Sequence, residues 1–269
     1  MKRVLSIQDL SCLGKCSLSI ALPVLSAMGC SCTGLPTALL STHTAFPEPH
    51  VRDLTEDILP ICRHWQSIGA EFDAVTVGYL ASPDQADAVE QVLSAFPVFT
   101  VIDPVMGDHG KVYSRITPAH IGAMQRLCRR GTVLLPNVTE AALLTGNSYR
   151  EAADPDYLHR LLEDMKAFGA QTVIITGVPG ENGQLGLAGT CPQGDFSYFA
   201  PRIPKQCHGT GDLFAAVFTG AALRGEPIDS AAFLAARSVE RVLHATPDAS
   251  PFGVAFESVL PWLWTQLQA

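Results

Sequence analysis

Short apolar runs alternate along this chain with longer segments whose apolar positions recur at helical spacing. That alternation predicts strands and helices in turn. Arg3–Ile7 reads as a first strand followed by a polar loop, Gln8–Lys15, and a helix over Ser19–Met28 that stops at Gly29. Ser31–Pro36 reads as a second strand, after which TALLSTHTAF runs into a loop broken by Pro47 and Pro49. An amphipathic helix follows over Arg52–Ile68, kinked or begun afresh near Pro60. The next strand, Phe72–Tyr79, ends on a Gly-Tyr pair, and Ser82 with Gln85 has the spacing of a capping box opening a helix to Ala95.

The second half repeats the pattern. Strand Val98–Ile102 ends on Asp103-Pro104, and a glycine-containing loop leads to a helix at Pro118–Arg129. Strand Thr132–Leu135 then runs into Pro136-Asn137, with helices at Thr139–Leu144 and Asp156–Phe168. After strand Thr172–Thr176, the stretch Gln184–Pro201 alternates apolar and polar positions as an antiparallel hairpin does. Three helices close the chain: one opening at GTGD, one at Ser230–His244 and one at Ala255–Gln266. Strands alternating with helices imply a mainly parallel sheet covered on both faces.

Composition narrows the class. The 269 residues are 47% hydrophobic and 16% charged, which supplies a large core and excludes a disordered chain. No linker, repeat or low-complexity segment interrupts residues 1–269, so one domain is expected. A net charge of −8 without a basic cluster argues against nucleic acid or an anionic membrane as the main partner. The eight cysteines are scattered without C-x-x-C spacing, as reduced thiols of a cytoplasmic protein are. MKRVLSIQDL lacks the apolar region of a signal peptide, and no run is long enough to span a bilayer.

The densest chemistry lies in Lys205–Gly225, KQCHGTGDLFAAVFTGAALRG. Gly209 and Gly211 free the backbone for conformations closed to other residues and for close approach of a ligand. The unpaired N–H groups opening the following helix, with the helix dipole behind them, make an anion site. Asp212 fits two roles, a helix-start acid or a base beside an acceptor hydroxyl. Asp9, Thr42-His43-Thr44, Tyr79, Asp103, Asn137 and Thr176 all follow expected strands. In an open α/β sheet they gather with Asp212 on one rim, outside the carboxyl ends of the strands.

Several segments in order resemble those of the vitamin B6 kinases of the ribokinase-like superfamily. They are VLSIQD (Val4–Asp9), STHTAF (Ser41–Phe46), VGYL (Val77–Leu80), DPVMGD (Asp103–Asp108), PNVTEAALLTG (Pro136–Gly146), VIITG (Val173–Gly177) and HGTGDLFAA (His208–Ala216). The resemblance implies a three-layer α/β/α kinase that phosphorylates the 5′-hydroxymethyl group of a pyridine with ATP and Mg2+, with a monovalent cation such as K+ as a further candidate. By that resemblance Asp212 is the general base, and the N–H groups of Gly209, Thr210 and Gly211 hold the transferring phosphoryl. Asp103, Asn137 and Glu140 resemble the metal and phosphate residues, with Asp103 and Glu140 toward the metal. Glu140 also reads as an ordinary first-turn acid.

His43, Thr44 and Tyr79 would form the pyridine pocket, although His43 equally suits a satisfied loop histidine and Tyr79 a core-edge tyrosine. Asp9 departs from the family's common Ser and puts the preferred vitamer in question, a carboxylate there favouring an amine-bearing substrate. Lys111 or Tyr113 would cover the nucleotide from the loop Gly107–Ser114, which reads also as a solvated surface loop. Thr176 would meet the phosphates, and Arg202 or Lys205 the nucleotide rim. A homodimer follows from the resemblance alone. A hydroxymethylpyrimidine kinase shares fold and chemistry, and a non-catalytic pyridoxal-phosphate carrier is the reading outside enzymes. A dinucleotide oxidoreductase would need G-x-G-x-x-G after the first strand, where QDLSCLG stands.

Overall fold

A computed structural model describes residues 1–151, 154–248 and 250–266. Eleven strands are seen among them. They are β1 (Arg3–Leu13), β2 (Ser31–Thr42), β3 (Val51–Asp53), β4 (Ala74–Val77), β5 (Phe99–Ile102), β6 (Gly107–Asp108), β7 (Lys111–Val112), β8 (Val133–Leu134), β9 (Thr172–Pro179), β10 (Gln184–Cys191) and β11 (Gly194–Pro201). The helices are α1 (Leu18–Ala27), α2 (Thr55–Ser67), α3 (Pro83–Ala95), α4 (Pro118–Cys128), α5 (Val138–Thr145), α6 (Pro155–Lys166), α7 (Thr210–Leu223), α8 (Ile228–Ala245) and α9 (Leu260–Gln266).

Nine strands form one sheet in the order β11-β10-β9-β8-β5-β4-β1-β2-β3. The six central strands from β9 to β2 are parallel, and β3, β10 and β11 join antiparallel at the edges. Each face carries its own core. Ile58, Val89, Leu127, Ala141 and Leu161, one from each of α2–α6, pack on one side. Ile20, Phe218, Ala232 and Leu263 from α1, α7, α8 and α9 pack on the other. The α/β/α expectation holds, with strands buried on both faces as parallel sheets require.

Four local expectations need correction. The first strand does not stop at Ile7: β1 continues to Leu13 alongside a longer β2, pairing Leu10 with Leu39 and Leu13 with Thr42. The register shifts between Gln8 and Leu10, so Asp9 sits in a bulge inside the strand rather than in a loop after it. The second helix opens at Thr55, not Arg52, because Val51–Asp53 pairs with β2 and the Asp53 carboxylate accepts the Thr55 N–H at 2.7 Å; it then runs through Pro60 in one piece. At α3, Ser82 Oγ accepts the Gln85 N–H at 3.2 Å, but the Gln85 carbonyl reaches the Ala81 N–H at 2.7 Å, so the box is only half closed. The last expected helix divides into a tight turn at Phe256–Val259 and α9.

Candidate active site

The rim above the central strands is built around the start of α7. Gly209 takes φ +90°, and a Cβ there would stand 2.3 Å from the Lys15 carbonyl oxygen, so only glycine fits. Gly211 is different from expectation: it is helical, and its missing side chain leaves space beside Asp103, whose Oδ2 would lie 3.5 Å from a Cβ. The first in-helix bond is from the Leu213 N–H to the Gly209 carbonyl, at 3.0 Å. The N–H groups of Thr210 and Gly211 therefore open toward the rim, as helix starts do.

Asp212 is the third residue of α7 and is half-buried. Burial pushes its carboxyl up to about 6, the Ser17 main chain nearby draws it down, and Asp9 raises it again. A carboxylate so placed is ionised at neutral pH yet basic enough to take a proton. A narrow recess runs beneath it toward the sheet, lined by Gln8, Thr76, Gly78, Asp103 and Ala215. A Cβ on Gly78 would stand 2.5 Å from Gln8 Oε1, which explains physically why a glycine follows β4 beside that glutamine of β1.

Asp103, Asn137, Glu140 and Thr176 converge beside this turn. Burial holds Asp103 well above the carboxylate range, with Glu140 and Asp212 adding repulsion. Asn137 and Glu140 form a complete capping box on α5: Asn137 Oδ1 accepts the Glu140 N–H at 2.9 Å, and Glu140 Oε2 accepts the Asn137 N–H at 2.8 Å. Glu140 Oε1 accepts the Met106 N–H at 3.0 Å, and the side chain is 3% exposed. Burial pushes it up to about 8 against these main-chain donors. Thr176 bridges to Asn137 through its N–H, which donates to the Pro136 carbonyl at 2.9 Å.

The expected flap is an ordered hairpin. β6 and β7 turn through His109 and Gly110 at φ 50° and 73°, a pair of left-handed residues suited to a two-residue hairpin turn. Gly110 N–H donates to Thr139 Oγ1 at 2.9 Å, tying the turn to α5. Lys111 is exposed on β7. Tyr113 is 45% exposed as a residue, yet burial and the charges of Glu140, Asp108, Asp103 and Asp212 raise its hydroxyl above the ordinary range.

On the opposite side lie the residues expected at the pyridine. Tyr79 is half-buried, its hydroxyl raised by burial, with Arg115 and Asp9 within electrostatic reach. Thr44 is exposed just past the end of β2. His43 is buried and engaged: Nε2 faces the Pro251 carbonyl at 2.9 Å and so carries the proton, while Nδ1 accepts the Ala45 N–H at 3.4 Å. Its ring lies tilted against those of His208, at 4.5 Å, and Phe46, at 4.8 Å. Asp9 is 4% exposed, with Ser17 Oγ donating to Oδ1 at 2.6 Å and Ser11 Oγ to Oδ2 at 3.1 Å.

The nucleotide-rim pair does not stand ready in the same way. Lys205 Nζ donates to the Thr246 carbonyl at 2.6 Å and pairs with Asp248 at 3.0 Å. Arg202 is exposed just past β11, its N–H bound to the Gly183 carbonyl at 3.0 Å. Sequence reasoning missed Ser17, which has φ 50° and ψ −131°. That is a glycine-favoured conformation costing on the order of 1–3 kcal/mol for another residue. Nothing in the sequence marks it, since no glycine or turn motif stands at that position. The cysteines are unpaired, and burial pushes Cys16, beside the site, up to about 12, an inert thiol.

The comparison with known proteins decides the family. The family described as phosphomethylpyrimidine kinase matches residues 22–254. The chain belongs to this family. It is accordingly a kinase of the ribokinase-like superfamily. A pyridoxine/pyridoxal/pyridoxamine kinase of Bordetella pertussis is 29% identical over 91% of this chain and 90% of that protein. The pyridoxal kinase of Lactobacillus plantarum superposes with a TM-score of 0.91 at 34% identity, over 99% of this chain and 98% of that one. A putative phosphomethylpyrimidine kinase from Bacteroides thetaiotaomicron, solved with pyridoxal, gives 0.93 at 31% identity over 97% and 95%. Among the described residues no helix is long and apolar enough to cross a membrane.

Proposed function

We propose that this kinase transfers the terminal phosphoryl group of ATP to the 5′-hydroxymethyl group of pyridoxal, pyridoxamine or pyridoxine. The observation that carries the proposal is the pairing of Asp212, raised to about 6, with the open N–H groups at the start of α7. Asp212 takes the proton of the hydroxymethyl group as its oxygen bonds to phosphorus and ADP leaves. The N–H groups of Gly209, Thr210 and Gly211 balance the charge developing on the transferred group. Tyr79 and Thr44 face the pyridine; His43 and Asp9 support that wall from behind. Thr176 and Asn137 lie along the phosphates, Lys111 and Tyr113 close over them, and Arg202 reaches the nucleotide rim. Lys205 joins it on leaving Asp248.

Mg2+ is proposed as the accompanying ion, from the resemblance. No three carboxylate, imidazole or thiol groups among the described residues converge to hold an ion unaided. Asp103 would hold it with Glu140 behind, and the ion would supply positive charge to the phosphates when bound. A homodimer is proposed from the resemblance, with Leu13 and Leu39, 54% and 40% exposed where β1 and β2 outrun the sheet, as its apolar surface.

The matched family's description favours one second reading, phosphorylation of a hydroxymethylpyrimidine. Competition among pyridoxal, pyridoxamine, pyridoxine and hydroxymethylpyrimidine, with ADP release followed for each, separates the two; running it with and without K+ checks the monovalent ion. The highest kcat/KM belongs to a B6 vitamer on this account. A higher value for the pyrimidine overturns it, and no ADP release with any of them points to a carrier.

A further inference from the structure

Ser6, Gln8 and Thr76 are buried polar side chains on the sheet beneath Asp212. Two of them satisfy each other: Gln8 Nε2 donates to Ser6 Oγ at 2.8 Å. Thr76, opposite Ser6 in the register of β1 and β4, takes no part. It is 6% exposed, and its hydroxyl has no hydrogen-bond partner among the described residues. An unmet buried hydroxyl is costly, and the rest of β4 is Ala74, Val75 and Val77, so packing alone gives no reason for one here. Thr76 lines the recess whose walls also include Asp212 and Asp103. The recess has a volume of about 10 Å3, room for one water molecule and too little for an organic group. We propose that it is the binding site of one fixed water, which accepts the Thr76 hydroxyl hydrogen and donates to Asp212 and Asp103, so that Thr76 acts through it as a positioning residue for the base.

Buried waters make about three hydrogen bonds to groups that are otherwise unmet, and Thr76, Asp212 and Asp103 supply that set. The two acids repel each other across the recess. A water between them gives a hydrogen to each and offsets that repulsion, because hydrogen bonds to ionised groups are the strong ones. One Asp212 oxygen is then fixed from beneath and the other is left for the acceptor alcohol. A cation in the same place could take the Thr76 oxygen but would leave its hydrogen without an acceptor, whereas a water takes that hydrogen. Gly78 and Ala215 are small residues on the same wall, so larger side chains do not fill the space.

The inference rests on Asp212 being the base, and the test separates the two. A crystal structure of the ligand-free enzyme, at a resolution that places waters, reads the site directly. It shows one water within about 3 Å of Thr76 Oγ1 and of an oxygen of each acid; the water is lost in Thr76→Val and kept in Thr76→Ser. Thr76→Val, which removes the hydroxyl and little else, lowers kcat for pyridoxal phosphorylation by about tenfold with KM within about twofold, because a misaimed base acts on the transition state. Thr76→Ser restores kcat to within about threefold of wild type. Thr37→Val is the control: that hydroxyl is also buried and without a partner among the described residues but does not line the recess, so its removal leaves kcat unchanged. Should Thr76→Val fail to fold, the wild-type density and Thr76→Ser still decide. A recess without a water, a cation in its place, an undiminished kcat in Thr76→Val, a Thr76→Ser no faster than Thr76→Val, or an equal loss in Thr37→Val would each overturn the proposal. Undiminished turnover in Asp212→Ala, with the wild-type water in place, sinks the base assignment instead.

Discussion

Replacing Gly209 by alanine tests how tightly the anion turn is held. The residue sits at φ +90°, where an L side chain costs roughly 1–2 kcal/mol. The new Cβ would stand 2.3 Å from the Lys15 carbonyl oxygen and 2.5 Å from Ile20 Cδ1. Lys15 has no room to retreat. Its carbonyl is crowded from the other side by Gly253, where a Cβ would lie 2.6 Å away, and its N–H is bound to the Phe252 carbonyl at 2.6 Å. Overpacking of this kind costs about 1–3 kcal/mol more, for a total of about 2–5 kcal/mol. At roughly 2–4 °C per kcal/mol for a chain near this size, Gly209→Ala lowers the melting temperature by roughly 4 °C or more, and kcat falls further than stability does. Gly211→Ala is the control: its backbone is helical and its nearest contact an ordinary 3.5 Å, so melting is unchanged while the added methyl fills the space beside Asp103 and reduces kcat. Thermal melts by circular dichroism, with steady-state kinetics on the same samples, read both. A Gly209→Ala protein that melts within about 1 °C of wild type refutes the reasoning, because strain of that size cannot vanish.

Two further outcomes follow from the same geometry. Glu140, raised from 4.5 to about 8, binds its proton more tightly folded than unfolded, so it contributes stability that is lost as pH rises through about 8. Between pH 6.5 and 8.5 the apo protein therefore becomes less stable in denaturant titrations, the raised Asp103 acting in the same direction. Glu140→Gln flattens that dependence, and an equally steep slope in the variant would assign it elsewhere. Gly78→Ala places a methyl against Gln8 Oε1, 2.5 Å away at present, and displaces the Tyr79 wall; KM for pyridoxal rises several-fold, roughly 1 kcal/mol, whereas an unchanged KM shows that Gln8 gives way freely.

The sheet, its layering and most helices were legible because period and punctuation are local signals, and Gly29, the Thr210 helix start and the 184–201 hairpin fell where those signals put them. What escaped was tertiary. The extension of β1 past Ile7 depends on pairing with β2, and polar residues such as Gln8 and Asp9 gave no strand signal of their own. The little hairpin at Gly107–Val112 is too short for any periodicity. At the site, residue types at strand ends pointed to Asp103, Asn137 and Tyr79, and the glycine turn to Asp212, but not to what each does there. That Glu140 spends both oxygens on main-chain N–H groups and that His43 is locked between Phe46 and His208 are facts of packing that no local pattern carries.

The central claim is that one carboxylate, at the mouth of the α7 turn, takes the proton of the acceptor alcohol. The direct measurement is single-turnover phosphorylation of pyridoxal by Asp212→Ala, with binding of pyridoxal and ATP determined on the same protein. The account predicts transfer slowed by about a hundredfold or more with both ligands still bound. Transfer within about tenfold of wild type, roughly 1.4 kcal/mol of barrier, would contradict it.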